Sequence, residues 1–443
     1  MAEKEDSEQI AREHAIRILV EYDKSSQSLK SLLREKYDSY QELHQYRGLV
    51  ESLTFETIKY LNTIDWLISR YGAKSAKQMS VYERNLLRLV IYEGRWLKTS
   101  IRTLLESYLY KIPEMVSTVR KILDSHLDKA ILSLPIVNRL SIKFAHPTFL
   151  VETLLDNLPE EEVIQLMRAN NGPRSYFIRP NKLVSSTESM IEMIGSLDVH
   201  LTRDSDVSDL FLVENGIDNL VRSKLFTEGN VLVQDKASML SVLALDPKPG
   251  EIIWDACAAP GMKTQLISEL THSIGTIYAS ESSPERIEIA KKRANILGYS
   301  SVKWLLADAS SVPIENADKI LIDAPCSSTG IIWSYPSFKW QLNKNSLMAL
   351  MAVQNKILDS IIEAYQNRPG TEIVYATCSI LPHEGESQID SVMDRYSFLE
   401  LVKHQHIGSM GYTSFKCKDH IQRYFPHIHN TSGFFISHLR ITD

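Results

Sequence analysis

Apolar residues recur at helical spacing from Ile10 to about Leu105, as in Leu43, Tyr46, Leu49, Val50 and Leu53 and again in Leu61, Ile64 and Leu67, with almost no Gly or Pro to interrupt. This spacing predicts an all-helical first quarter. Pro113 precedes a further helix over 116–127, and Pro135 and the His146-Pro147 pair mark a change of texture, which places a linker near 130–145. Between about 146 and 225 short apolar runs alternate with turn signals, such as Asn170-Asn171-Gly172-Pro173 ahead of a strand over 176–179, and predict a small α/β module. After Asp246-Pro247-Lys248-Pro249-Gly250 the pattern becomes regular. Strands expected over 252–255, 276–280, 302–306, 319–322 and 373–376 alternate with helices over 263–270, 284–297 and 346–365. Such alternation implies a parallel sheet wound on both faces, an α/β Rossmann-like fold. The expected division is 1–130 helical, 140–225 small α/β module and 226–443 wound sheet.

Composition changes this picture little. The 443 residues are 44% hydrophobic and 23% charged, ordinary values for a folded protein and unlike those of disordered or low-complexity chains. No run approaches the ~18 apolar residues of a membrane span, and the first residues, MAEKEDSEQ, are acidic and polar where a secretory signal is basic and then apolar. The expectation is a cytoplasmic protein with no membrane partner. Cys257, Cys326, Cys378 and Cys417 form no CxxC pair, so neither a disulfide framework nor a metal site is expected. The net charge of -6 argues against wholesale coating of nucleic acid. Residues 1–130 carry 21 Lys and Arg against 19 Asp and Glu, so any RNA contact must come from patterned charge.

Candidate chemistry sits just past the expected strands. In IIWDACAAPGMKT the small residues Ala258, Ala259 and Gly261 let backbone N–H groups approach a ligand, and a helix opening at Met262-Lys263 offers its positive end. Glu281 follows the second strand, where an acidic residue suits the hydroxyls of a ribose, and Asp308 follows the third. KILIDAPCSSTG puts Asp323 and Cys326 past the fourth strand, and YATCSILPHEG puts Cys378 past the fifth. Neighbouring carboxyl ends line one crevice, so the two thiols are expected to face one substrate. Cys257 reads as a loop wall and Cys417 as structural.

The combination DACAAPGMKT, DAPCSSTG and ATCSILPHEGE, in this order and spacing, resembles the RsmB and Sun family of RNA 5-methylcytosine methyltransferases. The segments VQDKASMLSVLALDPKPGE and RYFPHIHNTSGFFISHLR are similar to the same family. HPTFLVETLLDNL and Arg179-Pro180-Asn181-Lys182 resemble its preceding substrate-binding module, and AREHAIRIL, LNTIDWLI and ERNLLRLVIYE resemble a NusB-like RNA-binding domain. The resemblance implies S-adenosyl-L-methionine as cofactor and tRNA or rRNA as partner; the chain is expected to act as a monomer. It implies Cys378 as the nucleophile that adds to cytosine C6, Cys326 as the thiol that assists release, and Asp323 as the acid beside both cofactor and base. Cofactor contacts are implied at Cys257, Ala258, Ala259, Pro260, Gly261, Met262 and Lys263 around the methionine part, at Glu281 on the ribose, at Asp308 near the adenine and at Asp323 beside the methyl group. Attack on C6 requires an unstacked base, for which Arg179, Lys339 and Trp340 are candidate holders.

Four features, three single positions and one segment, depart from the family pattern. Met262 and Ser328 each replace a Gly, Gly385 stands where Asn is common, and GIIWSYPSFKW has Trp333 and Tyr335 where arginines are often found. Two other readings compete. A DNA cytosine methyltransferase resembles this chain only at Pro325-Cys326, and a catalytically silent RNA-binding or assembly factor would have no use for Asp323, Cys326 and Cys378 together.

Overall fold

The computed structural model describes residues 2–25, 27–403 and 407–443, with the side chains of 2–7, 41 and 42 outside that description. The chain forms two compact units, one of residues 1–171 with 332–343, the other of 172–331 with 344–443. Residues 140–171 thus belong to the first unit and 172–225 to the second.

The first unit is helical. Helix Ala2–Lys24 packs against Arg47–Lys59 and Val81–Arg95, through Ala11, Ala15, Ile18 and Leu19 on one side and Val50, Leu53, Leu86, Leu87 and Val90 on the other, all buried. The period of these residues is that of one helix face. Ser80 starts the Val81–Arg95 helix by accepting from the Glu83 N–H at 3.2 Å while Glu83 accepts from the Ser80 N–H at 2.9 Å, a reciprocal cap. Inside, the Arg88 guanidinium donates to both oxygens of Asp65 at 2.8 and 2.7 Å and to Asp23 at 3.2 Å.

The second unit holds two sheets. The smaller is antiparallel, built from β1 (Tyr176–Pro180), β2 (His200–Arg203), β3 (Phe211–Asn215) and β4 (Val231–Val233) in the order β2-β3-β1-β4. The larger contains β5 (Ile252–Asp255), β6 (Thr276–Glu281), β7 (Lys303–Leu306), β8 (Lys319–Asp323), β9 (Glu372–Thr377), β10 (Leu399–Leu401), β11 (Gln422–Tyr424) and β12 (Phe434–Ile441). Its order is β10-β12-β9-β8-β5-β6-β7, with β11 paired to β12. Strands β5 to β9 are parallel, as expected from the alternation. The carboxyl-terminal strands β10, β11 and β12 add an antiparallel edge, so the sheet is mixed.

Both faces of the parallel region are covered, and successive residues show it. Ile253, Leu321 and Val374 pack with Leu240, Leu266 and Ala294 on one side. Trp254, Ile320, Ile322 and Tyr375 pack with Ile357, Leu358 and Ile361 of the Lys344–Tyr365 helix on the other. This two-residue alternation between buried faces explains why these strands read as unbroken apolar runs. Met262 packs against the first of these clusters. This is a wound α/β sheet with an antiparallel edge, joined in one chain to a helical amino-terminal unit.

Candidate active site

The chain runs from β5 outward through β6 to β7 and then returns to place β8 on the other side of β5. At such a reversal the loops after adjacent strands diverge and leave a crevice at the carboxyl ends. A cavity of about 360 Å³ lies there, lined by Ala256, Cys257 and Ala259 after β5, Glu281 at the end of β6, Asp308 after β7, Asp323 and Cys326 at and after β8, and Cys378 after β9. Val353 and Ile357 supply an apolar wall.

The loop after β5 turns tightly into the Met262–Leu270 helix. Gly261 caps it at φ +93°, and a Cβ there would lie 2.5 Å from the Tyr299 hydroxyl, so only glycine suits the turn. Lys263, in the first turn, donates from Nζ to Asp323 Oδ2 at 2.6 Å. Burial works against its charge, but Asp323 outweighs burial and holds the lysine above its ordinary pKa. Asp255 is fully buried and accepts from the Thr264 hydroxyl at 2.7 Å, while burial pushes its carboxyl up to about 7.

At the next strand end Glu281 accepts from the Ser283 N–H at 3.0 Å and pairs with Arg286 at 3.1 Å. Arg286 also donates to the Ala259 carbonyl at 2.5 Å, which ties the first two loops together. The Asp308 carboxylate accepts from the Ser310 N–H at 2.9 Å, and this bond holds it below the usual carboxylate range.

Cys326 and Cys378 meet with Sγ atoms 3.3 Å apart. Their loops are fastened at several points. Gly330 donates to the Cys378 carbonyl at 2.9 Å and its own carbonyl accepts from Gly433 at 2.8 Å, at so close an approach that a Cβ on Gly330 would fall 1.8 Å from the Gly433 oxygen. Ser328 sits at φ +57°, in the left-handed region, with its hydroxyl 3.7 Å from Cys378 Sγ. The directions of the coupled thiols differ. Cys326 is raised, first by its hydrogen bond to Cys378 and then by burial; Cys378 is lowered, first by that same bond. Gly385, the other departure in this region, is packed so that a Cβ would lie 2.6 Å from the Phe435 ring.

The expected site residues therefore divide. Cys257, Ala259, Glu281, Asp308, Asp323, Cys326 and Cys378 line one cavity; Ala258, Pro260, Gly261, Met262 and Lys263 build the loop and helix start beside it without lining it. Cys257 is a wall residue whose thiol is pushed up by burial, and Cys417 is buried in the core. Three expected RNA contacts are corrected. Arg179 is 2% exposed and donates to Gln234 at 2.7 Å and Glu269 at 2.7 Å. Lys339 is wholly buried in the first unit, where burial drives its amine well below the ordinary lysine value. Trp340 donates from its indole to the Ile58 carbonyl at 2.7 Å and packs on the helical core. Trp333 is buried, and the Tyr335 hydroxyl accepts from Lys30 at 3.1 Å. The sequence pattern did not single out Ser282, Arg286, Val353 or Ile357 as cavity residues, and Ser328 stood out only as a departure from the family pattern. Only Arg286 had a usable signal, since Ser283-Pro284 is a helix start that sets Arg286 in the first turn.

Residues 242–440 match the family model described as 16S rRNA methyltransferase RsmB/F, and residues 9–108 match that of the NusB family. The chain is 29% identical over 311 residues to the human 28S rRNA (cytosine(4447)-C(5))-methyltransferase, an alignment covering 67% of this chain and 38% of that protein. It is 33% identical over 267 residues to ribosomal RNA small subunit methyltransferase B of Vibrio vulnificus, covering 59% and 61%. A probable ribosomal RNA small subunit methyltransferase B of Bacillus subtilis aligns over nearly all of both chains, 97% and 98%, at 25% identity. The chain thus spans about two fifths of the length of its human and mouse relatives and nearly all of the Bacillus one. Among solved structures, that of PH0851 superposes with a TM-score of 0.77 at 25% identity, covering 98% of each chain. A methyltransferase homolog from Pyrococcus horikoshii gives 0.61 at 25% identity, covering 69% of this chain and 99% of that one.

Proposed function

We propose that this chain, whose residues 242–440 match the RsmB/F methyltransferase model and whose residues 9–108 match the NusB model, methylates C5 of a cytosine in ribosomal RNA through a transient bond between Cys378 and C6. The observation that carries the proposal is the meeting of two thiols at 3.3 Å on the wall of a cavity whose other strand ends are acidic.

The residues fit S-adenosylmethionine. Glu281 at the end of β6 suits the two ribose hydroxyls, Asp308 stands one strand further along for the adenine, and Ala256, Ala259 and Ala307 leave the wall open to backbone approach. When bound, the cofactor supplies an electrophilic methyl group on a sulfonium.

Cytosine C5 is a poor nucleophile until C6 is attacked. The Cys378 thiolate adds to C6, the C5–C6 π electrons move into the ring, and C5 becomes nucleophilic. A protonated Asp323 carboxyl can donate its proton to N3 as negative charge builds there, and the carboxylate left behind is paired with Lys263. After C5 carries the methyl group, its proton passes to water, the C5–H electron pair re-forms the C5–C6 double bond and the C6–S pair leaves on Cys378; Cys326, 3.3 Å away, hands its proton to the departing sulfur and regains one from solvent. The curated relatives whose names specify ribosomal RNA favour that substrate over tRNA. Incubating the full chain with S-adenosylmethionine and small- and large-subunit rRNA, then bisulfite sequencing, tests the reading. One protected cytosine is expected, and no protected site in either RNA would overturn it.

A further inference from the structure

Glu384 is fully buried in the one-turn helix Pro382–Glu384 and has no part in the reaction as described. Its carboxylate accepts four hydrogen bonds. Oε1 takes the Ser327 N–H at 2.8 Å and the Gln354 amide at 3.1 Å; Oε2 takes the Ser327 hydroxyl at 2.5 Å and the Ser379 hydroxyl at 2.6 Å. Ser327 follows Cys326 in the chain, and Ser379 follows Cys378. The Gln354 amide also donates to the Pro325 carbonyl at 2.9 Å. One buried anion therefore grips the residue after each thiol and, through Gln354, the residue before Cys326.

All four donors are neutral. They orient the carboxylate without cancelling its charge, and in a water-poor interior that charge acts on nearby titrating groups. We propose that Glu384 is a positioning residue that gives the two thiols different roles, fixing their loops at contact distance while its charge keeps the proton on Cys326 and so leaves Cys378 as the thiolate. The proposal rests on the reading that this pair acts on a cytosine.

The surroundings of each sulfur agree with that division. Facing Cys378 are the Cys326 thiol, the Ser328 hydroxyl and Lys263, which favour its thiolate, and Asp323, which opposes it. Facing Cys326 are Cys378 and Glu384, and both disfavour a second thiolate. Tyr375, from β9, donates its hydroxyl to the Glu384 carbonyl at 3.0 Å and is itself raised by burial, so it stays a neutral donor.

The test needs no RNA and is read on the full chain. Iodoacetamide alkylation from pH 6 to 9, with rates at each cysteine followed by peptide mass spectrometry, measures the thiolate directly. Wild type should label Cys378 at least about tenfold faster than Cys326 at pH 7.5, which corresponds to about one pKa unit between them. Glu384→Gln keeps the size and can turn its NH2 toward the two hydroxyls, which can accept; it should shrink the preference to about threefold or less. Glu384→Asp keeps the charge and should retain the preference. Unchanged selectivity in a folded Glu384→Gln chain, judged by thermal melting, would reduce Glu384 to a scaffold. If that variant does not fold, loss of the preference in Glu384→Asp would overturn the proposal instead. A chain that methylates no rRNA would leave this readout unaffected.

Discussion

Cys326 and Cys378 stand 52 residues apart in sequence and 3.3 Å apart at sulfur, because they follow β8 and β9, which pair in parallel from Lys319 with Glu372 to Asp323 with Ala376. Parallel register brings equivalent strand ends side by side, so each loop starts at the same height above the sheet. The pair is a consequence of register before it is a piece of chemistry.

Removing each thiol should separate their tasks. If Cys378 makes the proposed bond to C6, Cys378→Ala is expected to lower methyl transfer by roughly a thousandfold or more while RNA and cofactor binding persist, because that bond and not the shape of the site is lost. Cys326→Ala should still attack and then stay joined to its product. A denaturing gel with labelled RNA should show a lasting adduct for Cys326→Ala alone. An adduct in Cys378→Ala instead would reverse the assignment.

Ser328 adopts φ +57°, a conformation that costs an L-residue about 1 kcal/mol and glycine almost nothing. Its hydroxyl, 3.7 Å from Cys378 Sγ, is what the serine gains there. Ser328→Gly should leave stability unchanged or higher by up to about 1 kcal/mol in urea unfolding. The same variant should shift the alkylation profile of Cys378 to higher pH. A clear loss of stability would show that the hydroxyl matters to the fold.

Much of the site was legible because it is built on strand ends, where an apolar run stops and a polar residue begins. Asp255, Glu281, Asp308 and Asp323 each mark such a stop. The antiparallel edge was harder to read, since β12 is as apolar as a parallel strand and only its partner fixes its direction. Arg179, Lys339 and Trp340 misled for a physical reason. A long polar side chain looks the same in sequence whether it meets solvent or an internal partner, and here Glu269, the Ile58 carbonyl and the helical core claim them. Ser328 and Glu384 were hidden in their motifs because a backbone angle and a four-donor clasp leave no periodic trace.

Asp255 makes stability depend on pH. Its carboxyl titrates near 7 in the fold against an ordinary 3.8, so between those values the folded protein holds a proton that the unfolded chain has released. The resulting stability is complete below about pH 4 and is lost as pH rises to about 7. Asp255→Asn should flatten this part of the profile of melting temperature against pH. A variant whose profile runs parallel to wild type from pH 4 to 7 would assign the dependence to other groups.

The acidic strand ends should show in cofactor affinity. If Glu281 takes the ribose hydroxyls as proposed, Glu281→Ala removes their acceptor, and a hydrogen bond to a charged group is worth about 1.5–3 kcal/mol, roughly ten- to a hundredfold in Kd. Asp308→Ala should also weaken binding, with some cost from loss of its bond to the Ser310 N–H. Calorimetry on the full chain should find both. Wild-type affinity in Glu281→Ala would move the ribose elsewhere in the cavity.

Trp340 offers the sharpest contrast between an RNA contact and an internal brace. It lies in the segment Ile332–Asn343, which folds with the helical unit although the chain on either side belongs to the other. Its indole N–H donates to the Ile58 carbonyl at 2.7 Å, and its ring packs on the helical core with Lys339 Nζ 5.1 Å from the ring centroid. Truncation removes that bond and opens a cavity. Trp340→Ala should therefore cost about 3 kcal/mol, toward the low end of large aromatic truncations because the ring is only partly buried. Trp340→Phe should recover the packing without the hydrogen bond, at a cost of about 1 kcal/mol. If Trp340 instead stacked on a base, both variants would melt like wild type, and the alanine change would appear as a raised KM for RNA. Urea unfolding together with methylation kinetics at a temperature where all three chains are folded distinguishes the two, and the structure calls for lost stability with KM within about twofold of wild type.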